Sequence, residues 1–277
     1  MTAVPTVTLH DGTEIPQFGF GVWQVPADDA ERVVAKALEV GYRHIDTAAV
    51  YGNEEGVGRA IAASGIPREE LYVTTKLWVS DFGRAEAKAA METSLQKLGL
   101  DHVDLYLTHW PAPATDKYLE AWQGLQDIAE QGLSTSIGVS NHLGEHLARI
   151  AELGGRQPVI NQIEVHPFLQ QREVIAANEK HGIATQAWSP LAQGQVFDEA
   201  PVVAAAEAHG VSPAQVVIRW HLQQGRILFP KSVTDERIAS NFDVFGFELT
   251  AEELEAIDGL EKDGRLGPNP AEFSPGS

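Results

Sequence analysis

The sequence predicts an α/β fold of the (β/α)8 barrel class, and three observations carry that expectation. Short apolar strands alternate with helix-period stretches eight times along the chain, a pattern that forces parallel strands and crossover connections. Eight such units in 277 residues match the length of one closed barrel, about 250 residues. Asp46, Lys76, His109, Asn141, Gln162, Trp188 and Lys231 fall at or near the C-terminal ends of successive strands, about one unit apart. An open, doubly wound sheet would concentrate such residues at one switch point, whereas a barrel gathers them around one mouth.

Taken in order, Val4 to Ile15 reads as a hairpin, with apolar residues alternating around a two-residue turn at Asp11-Gly12. FGFGVWQV and a helix from Asp28 make the first unit; Val33, Val34, Ala37 and Leu38 share one face of that helix and Gly41 stops it. The unit repeats as HIDTA with a helix from Asn53 to Ser64, LYVTTKLW with Arg84 to Leu98, and VDLYLTHW with Asp116 to about Glu130, the helices being followed by Gly65, Gly99 and Gly132. STSIGVSN leads into a helix near Gly144 to Leu153, and VINQIEV into one from Gln171 to His181. GIATQAW precedes helical stretches from Pro201 and Ser212, and RILFPKS precedes a helix from Asp235. Thr250 and Glu253 form a capping box for one extra helix, after which GRLGPNPAEFSPGS reads as loop or disorder. No linker or charge block divides the chain, so one domain over residues 1–277 is expected.

Composition narrows the function. The chain is 43% hydrophobic without an apolar run that approaches the roughly 20 residues of a membrane span. It opens without the basic start and apolar core of a signal peptide, which makes the cytoplasm the default. The net charge of −19 argues against nucleic acid as a partner, because that binding rests on clustered lysine and arginine. The absence of cysteine removes disulfides, thiolate nucleophiles and cysteine-ligated metals. No apolar surface helix argues for an oligomer, so a monomer acting on a small molecule is expected.

The chemistry centres on GYRHIDTAAVYGNEEGVG, residues 41–58. Asp46 ends a strand there, and Tyr51 follows five residues later. A phenol with a reference pKa of about 10 exchanges protons poorly near neutrality unless a neighbouring charge perturbs it. Lys76 in TTKLW is the candidate cation, and the barrel would bring His109 in THWP to the same place. Trp23, Trp78 and Trp110 each follow a strand at the same mouth and are candidates to wall a substrate pocket. No G-x-G-x-x-G follows a strand, so a Rossmann fingerprint is absent.

GYRHIDTAAVYGNEEGVG, TKLW, DLYLTHWP, GVSN, NQIEVHP, WSPL and PKS stand in an order that resembles the aldo-keto reductase family over nearly the whole chain. The pattern is most similar to that of bacterial 2,5-diketo-D-gluconic acid reductases. The resemblance implies reduction of a carbonyl (aldehyde, ketone or keto-sugar acid) by NADPH, without a metal, through a tetrad of Asp46, Tyr51, Lys76 and His109. In it Tyr51 donates the proton, Lys76 lowers the tyrosine pKa, Asp46 holds the lysine charged and His109 positions the carbonyl oxygen. The resemblance further assigns the carboxamide contacts to Ser140, Asn141 and Gln162, and ring stacking to Trp188. The pyrophosphate falls to the loop of Ser189, Pro190, Leu191, Gln193 and Gly194. The 2′-phosphate falls to Lys231, Ser232, Val233, Arg237 and Asn241, with Asp235 repelling it. Trp23, Val79, Ser80, SPLAQG, Thr234 and Asp235 depart from the bacterial pattern.

Two rival readings stand beside this one. A metal-dependent hydrolase on the same barrel would use His44, Asp46, His109 and His166, or the H-x-x-E-H of His142 to His146, which Gly144 interrupts at a helix start. A barrel that binds nicotinamide cofactor as a sensor or regulatory subunit would lose a tetrad member or carry an added segment; this chain has all four residues.

Overall fold

Residues 4–275 are described by the computed structural model. The chain opens with an antiparallel hairpin, β1 (Thr6–Thr8) and β2 (Glu14–Pro16), with Thr8 opposite Glu14. Its connection is not the expected two-residue turn. Leu9 N–H donates to Thr13 O at 2.8 Å, and the intervening loop turns on Gly12 at φ +86° while the Asp11 carboxylate accepts from the Thr13 backbone and hydroxyl. A left-handed glycine closing a three-residue loop is the next most favoured hairpin solution.

Eight parallel strands follow: β3 (Phe20–Gly21), β4 (His44–Asp46), β5 (Tyr72–Leu77), β6 (Val103–Thr108), β7 (Ser134–Ser140), β8 (Ile160–Glu164), β9 (Ala184–Trp188) and β10 (Ile227–Leu228), each paired with the next in sequence. A parallel bridge between Phe18 and Leu228 joins the last strand to the first, with Gly19 N–H donating to Leu228 O at 2.9 Å and Leu228 N–H to Gln17 O at 3.0 Å. The FGFG run permits this seam. A Cβ on Gly19 would stand 2.8 Å from His44, and one on Gly21 2.9 Å from Phe229 O.

Among the described residues nine helices complete the eight units: α1 (Ala27–Val40), α2 (Glu54–Ala63), α3 (Arg84–Leu98), α4 (Tyr118–Glu130), α5 (Gly144–Leu153), α6 (Arg172–Lys180), the pair α7 (Ala200–His209) and α8 (Pro213–Gln223) between β9 and β10, and α9 (Asp235–Phe242). The pair counts as one unit. The extra helix α10 (Ala251–Asp258) has the predicted box: Thr250 Oγ1 accepts from Glu253 N–H and Glu253 from Thr250 N–H. α4 begins later than expected because Asp116 adopts φ +51° and forms an ion pair with Arg149. The segment after α10 is a loop, and it is packed: its backbone bonds to Phe168 O and to the Glu164 carboxylate.

Strand alternation places the site. On β4 and β5, Ile45, Val73 and Leu77 face outward into the main core with Val33, Val34 and Val57 of the surrounding helices. Asp46 lies opposite Thr74, and Lys76, two residues further on, falls on the same interior face. At the other end, Leu9 and Ile15 of the hairpin pack with Tyr72, Ile160 and Ile227 from the starts of strands. The hairpin therefore plugs the bottom, and the polar residues gather at the mouth. Among the described residues no helix is long and apolar enough to cross a membrane.

Candidate active site

Four residues from three strand ends converge. Asp46 is the last residue of β4, Lys76 lies near the end of β5, and His109 follows β6; Tyr51 ends a short 3-10 turn, Ala49–Tyr51. Lys76 Nζ donates to Asp46 Oδ1 and to Thr47 O, both at 2.7 Å, and sits 5.1 Å from the centre of the Tyr51 ring. The His109 ring packs edge-on between Tyr51 at 5.7 Å and Trp78 at 5.1 Å. The Lys76 side chain is 0% exposed and that of Asp46 3%. Two charges so far from water are tolerated only when their remaining hydrogen-bond capacity is filled. Gln162 Nε2 fills it on the acid, donating to Asp46 Oδ2 at 2.9 Å.

Burial raises the pKa of Asp46 and lowers that of Lys76, each being drawn back by the other's charge. Tyr51 corrects an expectation. Its pKa is raised well above 10.0, first by burial and then by the Asp46 charge, where the sequence reading had Lys76 lowering it. With Asp46 bonded to Lys76, the pull of the ammonium on the phenol is offset in part, and desolvation of the phenolate decides the sign. Tyr51 therefore holds its proton across the neutral range. His109 is pushed well below 6.5 by burial and then by Lys76, which keeps the imidazole neutral. Its Nδ1 is buried without a partner. A buried N–H without an acceptor is costly, so the single ring proton belongs on Nε2.

The residues assigned to the nicotinamide end form one network with this corner. Ser140 Oγ donates to Gln162 O at 2.7 Å, and Asn141 Nδ2 donates to His109 O at 3.0 Å and Ser140 Oγ at 3.1 Å. Trp188 Nε1 donates to Asn141 Oδ1 at 2.8 Å. Gln162 also reaches Gln186 Oε1 at 3.1 Å. Left-handed backbone recurs at the mouth, at Asn141 (φ +63°), Ser189 (φ +50°), Ala192 (φ +47°) and Gln193 (φ +53°). Such conformations in non-glycine residues are held only where surrounding structure enforces them, and they cluster at functional sites.

Residues 15–262 match the Aldo/keto reductase family. The chain belongs to the aldo/keto reductase family. The protein named methylglyoxal reductase DkgA from Yersinia pestis is 54% identical over 275 residues, 99% of each chain. The Escherichia coli protein of the same name is 52% identical over 274 residues, 98% of this chain and 99% of that one. Among solved structures, a variant of Gox0644 in complex with NADPH has a TM-score of 0.94 at 45% identity, covering 98% of both chains.

In this aldo/keto reductase the outer end of the site is unlike the inner one. Lys231, Val233 and Arg237 are exposed, Ser232 and Asn241 are buried, and neither Lys231 nor Arg237 has an ion pair among the described residues. Asp235 does not stand as the free repelling charge expected from the sequence. Arg32 Nη1 donates to it at 2.6 Å, and Arg32 Nη2 donates to Val233 O at 2.8 Å while the same guanidinium grips Asp29. Sequence reasoning missed Arg32 because the pair spans 203 residues. It also missed the C-terminal segment, where Phe273 packs 4.6 Å from Trp110 and leaves that tryptophan only 7% exposed. Trp23 is 44% exposed at the rim, and Trp78 is half-buried.

The residues of the hydrolase reading are not gathered. His44 bonds Pro16 O and Thr74 Oγ1, His166 bonds Glu164, and His142 and His146 make separate backbone bonds. No three His, Asp or Glu side chains among the described residues are placed to share a metal.

Proposed function

We propose that this chain is an NADPH-dependent reductase of small aldehydes and ketones, with Tyr51 as proton donor. The observation that carries the reading is the sealed Lys76 ammonium, 2.7 Å from Asp46 and 5.1 Å from the Tyr51 ring centre. A buried ion pair is weak as a device for stability, but beside a protonated phenol and a neutral imidazole it can serve a reacting oxygen.

Bound NADPH would supply the hydride. As hydride reaches the carbonyl carbon, an electron pair moves onto oxygen, which is stabilised by donors fixed in advance. His109 offers its Nε2 proton and Tyr51 its hydroxyl. The Tyr51 proton passes to the alkoxide, a stronger base than a phenolate, and Lys76 steadies the phenolate left behind. The raised pKa of Tyr51 suits this direction, since the acid is always charged with its proton.

Ser140, Asn141, Gln162 and Trp188 would hold the nicotinamide, the loop Ser189 to Gly194 the pyrophosphate, and Lys231, Ser232, Val233, Arg237 and Asn241 the 2′-phosphate. Two exposed cations without carboxylate partners among the described residues fit a phosphate dianion. Trp23, Trp78 and Trp110 would wall the carbonyl pocket. Because two relatives carry the name methylglyoxal reductase, the reading takes small 2-oxoaldehydes as the first substrates to try, ahead of keto-sugar acids. The test is NADPH oxidation across methylglyoxal, aromatic aldehydes, α-keto esters and keto-sugar acids. Turnover of 2-oxoaldehydes is expected; no turnover of any carbonyl would overturn the proposal.

A further inference from the structure

Glu164, the last residue of β8, has a side chain with 0% exposure. It is absent from the tetrad and from every cofactor contact named above. Its Oε1 accepts from the Leu266 backbone N–H at 2.7 Å and from His166 Nε2 at 3.0 Å; its Oε2 accepts from the Gly267 N–H at 3.0 Å and lies 3.9 Å from Arg265 Nη1. A buried carboxylate so placed is strongly stabilised only while those donors remain.

The clamped segment lies on Trp188. Glu164 and Trp188 are opposite each other in the β8–β9 register, and a Cβ on Gly267 would stand 2.3 Å from Trp188 Cη2 and 3.1 Å from Glu164 Oε2. The absence of a side chain there lets the backbone touch the indole. The other end of the indole is held by the bond from Nε1 to Asn141 Oδ1 at 2.8 Å. From Gly267 the chain continues to Phe273 on Trp110, and Ser274 Oγ accepts from Ala114 N–H at 3.0 Å.

We propose that Glu164 is a positioning residue: its buried carboxylate clamps Leu266 and Gly267 against Trp188 and so fixes the indole that receives the cofactor ring. This rests on the reading of Trp188 as the stacking residue. Gln at position 164 keeps the shape, but its amide nitrogen donates where a backbone N–H also donates, so one of the two tail bonds is lost. The tail then loosens and Trp188 loses one of its supports.

The experiment measures NADPH dissociation by equilibrium dialysis, together with kcat and KM, for wild type, Glu164→Gln, Trp188→Ala and the double variant. Glu164→Gln is expected to raise the NADPH Kd and the carbonyl KM roughly ten-fold, the effect of losing one charge-assisted bond. In the Trp188→Ala background the same change should add less than about two-fold, because the residue acts through that indole. Multiplying effects in the double variant, or a lower Tm with unchanged Kd and KM, would overturn the proposal. Should Glu164→Gln fail to fold, Gly267→Ala approaches from the other side, driving a methyl into Trp188. A rise in Kd and KM with the fold intact supports the clamp; unchanged constants overturn it. Wild-type protein that bound no NADPH would instead sink the functional reading beneath it.

Discussion

At the inner end of the site Lys76 and Asp46 are sealed from water and joined at 2.7 Å, whereas at the outer end Lys231 and Arg237 stand in solvent without carboxylate partners among the described residues. In the proposed reading both ends carry cations for an oxygen anion, and their cost differs. The inner pair persists because Asp46 and Thr47 O accept from the Lys76 ammonium and Gln162 donates to the other oxygen of Asp46, so removing a member leaves a buried charge without its partner. The outer charges are screened by water and salt and can be exchanged singly. On that reading, burial sets which end makes the chemistry all-or-none and which end tunes it.

The strongest way to break this contrast is Tyr51→Phe, which keeps the ring against His109 and Lys76 and removes only the transferable proton. General acid catalysis is typically worth about 10² to 10⁴-fold, and kcat should fall by that much while NADPH Kd stays within about two-fold. A variant that kept more than a tenth of wild-type kcat would show that another group delivers the proton.

The buried half of the molecule also sets the acid limit. His44 is lowered to about 4, mainly by burial, and His142 to about 3 for the same reason; His109 and His221 are likewise pushed well below 6.5 by burial. The unfolded chain takes up these protons near 6.5 and the folded chain does not, so stability is full above that pH and is lost as pH falls below it. Between pH 6.5 and 5.5 each such histidine removes about 1 kcal/mol. Denaturant melts at the two pH values measure the sum. A flat profile would mean that these rings are hydrated.

How much of this was legible in the sequence follows the same division. Asp46, Lys76 and His109 were readable because the barrel period puts each at a strand end, and parallel pairing brings strand ends together. The direction of the Tyr51 shift was not, since it depends on how completely Asp46 cancels Lys76 and on how little water reaches the phenol. The hairpin loop at Gly12 was misread because Asp-Gly suits both a two-residue turn and a three-residue loop, and only the Leu9 to Thr13 bond separates them. Glu164 with Gly267, 103 residues apart, and Arg32 with Asp235 are joined by tertiary packing, for which no local spacing gives a sign.

At the outer end the expected effects are smaller and selective. Arg237→Ala removes a guanidinium able to grip a phosphate with two parallel donors. NADPH should weaken by about 10 to 100-fold, and NADH, which has no 2′-phosphate, should barely change. Equal losses for the two cofactors, titrated at fixed ionic strength, would make Arg237 a structural residue.

The smallest predicted effect is the sharpest test of the outer end, and it lies at Arg32. Its guanidinium bonds Asp235 and Val233 O beside Lys231 and Arg237, so it counters a carboxylate that would repel a phosphate there. Both partners of that pair are about half exposed, and exposed pairs are weak, so Arg32→Ala should weaken NADPH only by roughly two- to five-fold while leaving NADH unchanged. The sign of the coupling carries the argument. Once Asp235→Asn has removed that repelling charge, Arg32→Ala should cost less than it does in the wild type, because Asp235 no longer needs countering. An equal loss in both backgrounds would mean that Arg32 meets the phosphate directly, and no loss in either would leave it as the tether that fixes the Val233 backbone.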